Sequence, residues 1–464
     1  MKRVLWMAVL VLGLLALGYY LPAQAQDAPT NAGDMVSLGK AIFFDANLSA
    51  SGTQSCATCH DPAAGFTGPD AAINAAGAVY EGAVPDHFGN RKPPTAAYAG
   101  DSPALYFDET EGAWFGGLFW DGRATGASLG DPLAEQAQGP FLNPLEQAVA
   151  DAEELCAKVD KASYAGLFEQ VWGADSLDCA KDADGAYERI ARSIAAYERS
   201  AEVSPFSSKF DLFWDTAKAA GKDVTQIKCG TGGAIGAGGM GMGGMGMGPM
   251  GGMGCPGGTD PDDWTAYRDL GFSDAELQGL ALFNDPNRAN CASCHSLEPG
   301  TGGYPLFTNF GYENTGVPKN PSNPFYAMAA EWNPEGADWV DAGLGGFLKN
   351  SGKAPEVYEP EMGKFKVPTL RNVDQRAAPD VDKAYGHNGY FKSLEEVVFF
   401  YHWRAMMDGR MGGMGGMRGM GGMANMFPPP EVDQNRAALN MFPGPQVGNI
   451  VAFLKTLSDG YFQR

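Results

Sequence analysis

Histidine is scarce in this chain, five in 464 residues. A metal cage built from many imidazoles is therefore excluded. Basic side chains are also few: 33 Lys and Arg face 55 Asp and Glu, for a net charge of −22. Such a chain repels phosphate backbones, which excludes nucleic acid, and it attracts partners with a basic surface. Long apolar runs are missing after the first. Only the stretch from Val4 to Leu21 approaches the length of a membrane span. It follows Lys2 and Arg3 and leads into Ala23-Gln24-Ala25, which is the pattern of a secretory signal peptide over residues 1–25. Cleavage there predicts an exported, periplasmic protein with no membrane span.

What is present is cysteine, eight residues in all. Four fall in two copies of one pattern, Cys56-Ala57-Thr58-Cys59-His60 and Cys291-Ala292-Ser293-Cys294-His295. A redox dithiol or half of a zinc site is the plainer reading of a Cys-x-x-Cys pair. Here each pair is followed at once by His, the copies lie far apart, and the chain is exported. Cys-x-x-Cys-His is the attachment signature of c-type haem. The thiols add to the vinyl groups and the His binds iron on the proximal side. Two covalent haems are expected, on Cys56, Cys59 and His60, and on Cys291, Cys294 and His295.

The surroundings repeat as well. "SLGKAIFFDANLSASGTQS" (37–55) precedes the first motif and "SDAELQGLALFNDPNRAN" (273–290) the second. Each reads as a short helix and a loop, and Ser273 with Glu276 makes a capping-box pattern. Near the C-terminus Ile450, Phe453, Leu454 and Leu457 mark one apolar helix face. The fold class is mainly α, with two cytochrome c-like haem domains, long loops and Gly/Met-rich insertions. The boundaries read as 33–222 for the N-terminal haem domain, 223–262 for a Gly/Met-rich insertion and 263–464 for the C-terminal domain, with a second insertion at 408–427.

An ordered series of motifs then resembles a known family. "LGKAIFFDANLSASGTQSCATCH" is followed by "GNRKPPT" (89–95), "FWDGR" (119–123), "EQAQGPFLNPLE" (135–146), "RSIAAYERS" (192–200), "SPF" (204–206) and "FKVPTLRNVDQR…HNGYFKSLEEVVFFY" (365–401). The chain is similar to the bacterial di-haem cytochrome c peroxidases and their MauG-type relatives from about Leu38 to Leu457.

The resemblance implies that hydrogen peroxide reacts at the N-terminal haem. Glu146 falls on the family's catalytic glutamate, and Gln136 positions peroxide or water. O–O heterolysis needs a proton moved between the two oxygens, and a carboxylate over the open iron face does this. Trp120 matches the tryptophan that the family places between its haems. The family's calcium site uses an asparagine where this chain has Arg91-Lys92, and a cation in that place disfavours calcium. The relay tryptophan of MauG before its second haem motif is here replaced by Ala289 and Asn290.

The second haem decides the subclass. In the electron-accepting peroxidases the ligand opposite His is a methionine 14 residues after the His of an H-x-G motif. Counting from His387 gives Tyr401. A thioether favours reduced iron, whereas a hard phenolate favours Fe(III) and higher states. The resemblance thus implies a MauG-like enzyme that stores oxidising equivalents and oxidises aromatic side chains of a partner protein. His402, Met406 and Met407 are the competing ligands.

Cys156, Cys179, Cys229 and Cys255 remain, and an even remainder in an exported chain reads as disulfides. Cys156 with Cys179 would staple the first domain, and Cys229 and Cys255 bracket the first glycine tract. In "MGGMGGMRGMGGMANM" (411–426) methionine recurs every third residue. Surface loops are the plain reading of both tracts, and a copper(I) site made of clustered thioethers is the sharper one. Two further functions stay open beside the peroxidase: a non-catalytic electron-transfer cytochrome, partnered by a small redox protein, and a copper-handling periplasmic protein.

Overall fold

The computed structural model describes residues 32–230, 255–411, 426–442 and 444–463. The signal segment and nearly all of both methionine tracts lie outside the described residues. Among the described residues the fold is mainly helical, as expected, with only two pairs of short strands.

Two helix pairs organise the chain, and they are built alike. Ala32–Phe43 packs against Cys179–Glu198, and Asp274–Asn284 packs against Val447–Lys455. A glycine sits at each crossing. A Cβ on Gly39 would lie 1.8 Å from the Ser193 carbonyl oxygen, and one on Gly279 would lie 2.0 Å from that of Asn449. Four residues further along the partner helices stand Tyr197 and Phe453, whose Cβ atoms are the next neighbours. The expected capping box holds: Ser273 and Glu276 exchange side-chain-to-backbone bonds at the start of Asp274–Asn284.

Most buried apolar side chains fall into two large clusters, with a small third one of Tyr312, Leu344 and Leu348. One runs from Leu38 to Val203 and includes Leu306. The other runs from Phe210 to Leu457 and takes in Phe210, Phe213 and Ala217 of the helix Lys209–Ala219. Arg371, wholly buried, ties them together. It bonds Asp211 at 2.7 Å and the Pro305 carbonyl at 2.8 Å, and its guanidinium is packed among the rings of Tyr98, Phe206, Phe210 and Phe307. Arg91 makes a second tie, with two bonds to Asp341 at 2.6 and 2.7 Å and one to Asp121 at 2.5 Å. Both expected disulfides form, Cys156–Cys179 and Cys229–Cys255.

The strands position the middle of the molecule. Tyr106–Asp108 pairs antiparallel with Ala113–Phe115, and Tyr312–Glu313 with Phe365–Lys366. An isolated bridge joins Phe115 to Gly311, and the Lys366 amide donates to the Trp120 carbonyl at 2.9 Å. Among the described residues no helix is long and apolar enough to cross a membrane.

Candidate haem sites

The first attachment motif forms one helical turn, Cys56–Cys59, entered through a Ser55 amide bond to the Thr58 hydroxyl at 3.0 Å. His60 follows, and its Nδ1–H donates to the Phe66 carbonyl at 3.1 Å. That bond fixes the tautomer and leaves Nε2 as the coordinating atom. Burial pushes the imidazole down to about 4, so the ring is neutral, as a ligand must be.

Cys56, Cys59 and His60 line a cavity of about 360 Å³ with Gln136, Pro140, Glu146, Arg123 and Trp120. Gln136 comes from the helix Pro132–Leu142, whose start is capped by Asp131. Glu146 stands on the turn beyond, pinned at both ends of its peptide. Its amide donates to Asn143 at 3.0 Å and its carbonyl accepts from Ala83 at 2.6 Å. Burial raises the Glu146 carboxyl above the usual carboxylate range, against the opposing pull of Arg123 and an Asn143 side-chain bond.

The second motif lies in a cavity of about 510 Å³. Cys291, Cys294 and His295 line it together with Tyr401, His387, Glu313 and Trp120. The His295 Nδ1–H donates to the Phe307 carbonyl at 2.9 Å, repeating the arrangement at His60. Tyr401 projects from the helix Leu394–Met411 and is hydrogen-bonded to Thr315. Burial pushes its phenol up to about 12, so a phenolate there requires a cation as partner. His402 turns to Phe399 and Phe442, and neither it nor Met406 nor Met407 lines the cavity.

Trp120 lines both cavities. Its indole N–H donates to the Lys92 carbonyl at 2.8 Å. Its ring meets that of His387 edge-on at 6.5 Å, and His387 stacks on Phe365 at 3.5 Å. His87 is elsewhere: its Nδ1–H donates to the Pro144 carbonyl and its ring abuts Trp332. The carboxylates of Asp121 and Asp341 are taken by Arg91, and the Lys92 ammonium bonds Thr67 and the Pro93 carbonyl.

Some lining residues were not singled out from sequence. Glu198 is buried in the first cavity, one of its oxygens has no hydrogen-bond partner, and burial lifts its carboxyl to about 8. Lys366 borders the second cavity, and Lys383 does so with its ammonium on three carbonyls. Nothing in the local sequence marks these as inward-facing, because a lone Lys or Glu is ordinarily a solvated surface group.

The residues fit two c-type haems. Both cavities fall in the size range of cofactor sites. Four cysteines pair as disulfides while the four motif cysteines stay free. Burial pushes the thiols of Cys56, Cys59 and Cys291 up to about 12, the reverse of what a redox-active dithiol needs. A mainly helical chain with two such cavities, each with its own Cys-x-x-Cys-His turn and a neutral histidine, is a di-haem c-type cytochrome.

The particular family follows from comparison with known proteins. The model of the di-haem cytochrome c peroxidase family matches residues 33–219. The methylamine utilization protein MauG of Paracoccus denitrificans is 31% identical over 443 residues, covering 92% of this chain and 89% of its own. The cytochrome c551 peroxidase of Nitrosomonas europaea is 29% identical, covering 80% of this chain and 73% of its own. Among solved structures, the diheme peroxidase BthA of Burkholderia thailandensis superposes with a TM-score of 0.63 at 27% identity, over 92% of this chain and 86% of that one. The chain belongs to the di-haem cytochrome c peroxidase/MauG family: it is a peroxidase that carries two c-type haems.

Proposed function

We propose that the protein is exported and reacts with hydrogen peroxide at the haem held by Cys56, Cys59 and His60. The haem held by Cys291, Cys294, His295 and Tyr401 then stores or relays the oxidising equivalents. Residues 33–222 and 263–464 serve as the two haem domains, with the helix Lys209–Ala219 packed into the core of the second. One observation carries the reading: Glu146 and Gln136 share the cavity of His60, Tyr401 shares that of His295, and Trp120 lines both.

When bound, the first iron supplies the electrons that break the O–O bond. The chain's own residues do the rest. Gln136 orients peroxide through its side-chain amide. Glu146, as carboxylate, accepts the proton from the oxygen that stays and returns it to the oxygen that leaves as water. Arg123 opposes the effect of burial and so favours the carboxylate that the first half of that transfer needs. Trp120 offers an aromatic path from one cavity to the other.

A hard phenolate at Tyr401 stabilises oxidised iron and favours a MauG-type role, the oxidation of aromatic side chains on a partner protein. The net charge of −22 suits a partner with a basic surface. A purely electron-transferring cytochrome has no use for a partly buried carboxylate in one haem cavity and a tyrosine in the other. The test is an absorbance spectrum of the holo-protein before and after one equivalent of peroxide. Changes at both haems are expected, and an unchanged spectrum would sink the reading.

A further inference from the structure

Two lysines flank Trp120, and neither has an acidic partner. Lys92 is buried. Its ammonium bonds the Thr67 hydroxyl at 2.7 Å and the Pro93 carbonyl at 2.9 Å. Lys366 reaches the carbonyls of Gly116 at 3.1 Å and Phe310 at 3.4 Å, beneath the rings of Phe310 and Tyr312. Each ammonium therefore has two neutral acceptors for three donors. Among the described residues no carboxylate stands at ion-pairing distance from either. Both are tied to the same tryptophan through the backbone, Lys92 by its carbonyl and Lys366 by its amide. Lys92 lines both large cavities. Lys366 lines the larger one and a small cavity of about 70 Å³ that reaches His60.

An unpaired ammonium away from water is costly, and a chain with so few basic residues gains nothing by hiding two of them together. The cost disappears if an anion arrives. Each haem carries two carboxylate side arms, and these are the only anions that both cavities must receive. We propose that Lys92 and Lys366 are the counter-ions of haem carboxylates, one on each side of Trp120, and that they set the charge felt by both irons. Burial pulls both ammoniums down to about 7 in the chain alone, and a carboxylate partner would restore the full charge. The inference rests on both cavities holding haem.

The experiment is a spectroelectrochemical redox titration of the holo-protein carrying Lys92→Gln, Lys366→Gln, Lys92→Arg or Lys366→Arg. Glutamine keeps a donor for the same oxygens and removes the charge, while arginine keeps the charge. Haem content of each variant is checked first, and every comparison uses protein with both haems attached. Loss of a nearby cation disfavours the reduced, less positive iron. Each Gln variant should therefore lower both midpoint potentials, with at least a tenfold change in the one-electron equilibrium (about 59 mV). The Arg variants should stay near wild type. Unchanged potentials in the Gln variants overturn the proposal, because the lysines are then neutral, carbonyl-capped side chains. Equal falls in Gln and Arg also overturn it, because shape and not charge is then responsible. The wild-type peroxide response is independent of either result.

Discussion

Trp120 donates its indole N–H to the main-chain carbonyl of Lys92 at 2.8 Å. That bond goes to a carbonyl, a weak base that does not itself take the indole proton. Its position comes from backbone on both sides, through Lys92 and Lys366, and not from the flexible end of another side chain.

Replacing that ring tests whether it carries charge. Trp120→Phe preserves bulk and loses one hydrogen bond, at roughly 1 kcal/mol of stability. The first haem of the variant should still respond to peroxide. The response of the second haem should slow by an order of magnitude or more in stopped-flow absorbance. Equal rates in variant and wild type would place the path elsewhere.

Glu146→Gln removes the proton carrier and keeps the shape of the cavity wall. The rate of O–O cleavage should fall by about 10²–10⁴-fold while peroxide still binds. A pH profile separates this from a structural effect. The base form of Glu146 exists above its pKa, and burial raises that pKa. The wild-type rate should therefore fall on acidification from a point above the ordinary carboxylate range. The variant should lack that limb.

Tyr401→Phe should alter the absorption and paramagnetic resonance signals of the second haem and leave those of the first. His402→Ala should alter neither, since His402 packs on Phe399 and Phe442 outside the cavity. The opposite pattern would make His402 the ligand.

Two buried ties predict stability. Arg371→Met strands Asp211, and breaking a buried pair costs about 3–5 kcal/mol. A thermal melt of the holo-protein should show a lower transition, by several degrees or more. At the second tie, burial would raise Asp121, but Arg91 and Arg123 outweigh it and hold the carboxyl at about 2. A depressed carboxylate contributes stability that is present above its unfolded value, about 3.9, and is lost as pH falls through the folded one. Acid unfolding between roughly pH 4 and 2 should therefore move to higher pH in Asp121→Asn.

The sequence made the two haem motifs legible because covalent attachment needs a fixed spacing. The flanking helices and the capping box at Ser273 were legible because they follow local rules. Glu146, Gln136, Trp120 and Tyr401 were found only through an ordered resemblance, since each is an ordinary residue when read alone. Lys366, Lys383 and Glu198 stayed hidden. Their direction depends on strand pairing and helix packing across the whole chain, and long-range contacts of that kind leave no periodic mark. Arg91 was visible as a residue, but its partners Asp121 and Asp341 were not.

The glycine crossings bear on how the molecule is made. At Gly39 and at Gly279 two helices touch backbone to backbone, and in each case the partner is the last long helix of its cluster. Neither pair can close until that late helix has emerged, so each Cys-x-x-Cys-His turn is exposed while the chain is still open. Thiol chemistry on a haem is easier in that open state, because once the helices meet the same cysteines are only partly exposed. The first helix pair has both members by Glu198, well before the second, which waits for Lys455. A chain cut before Val447 would keep the first helix pair and lose the second.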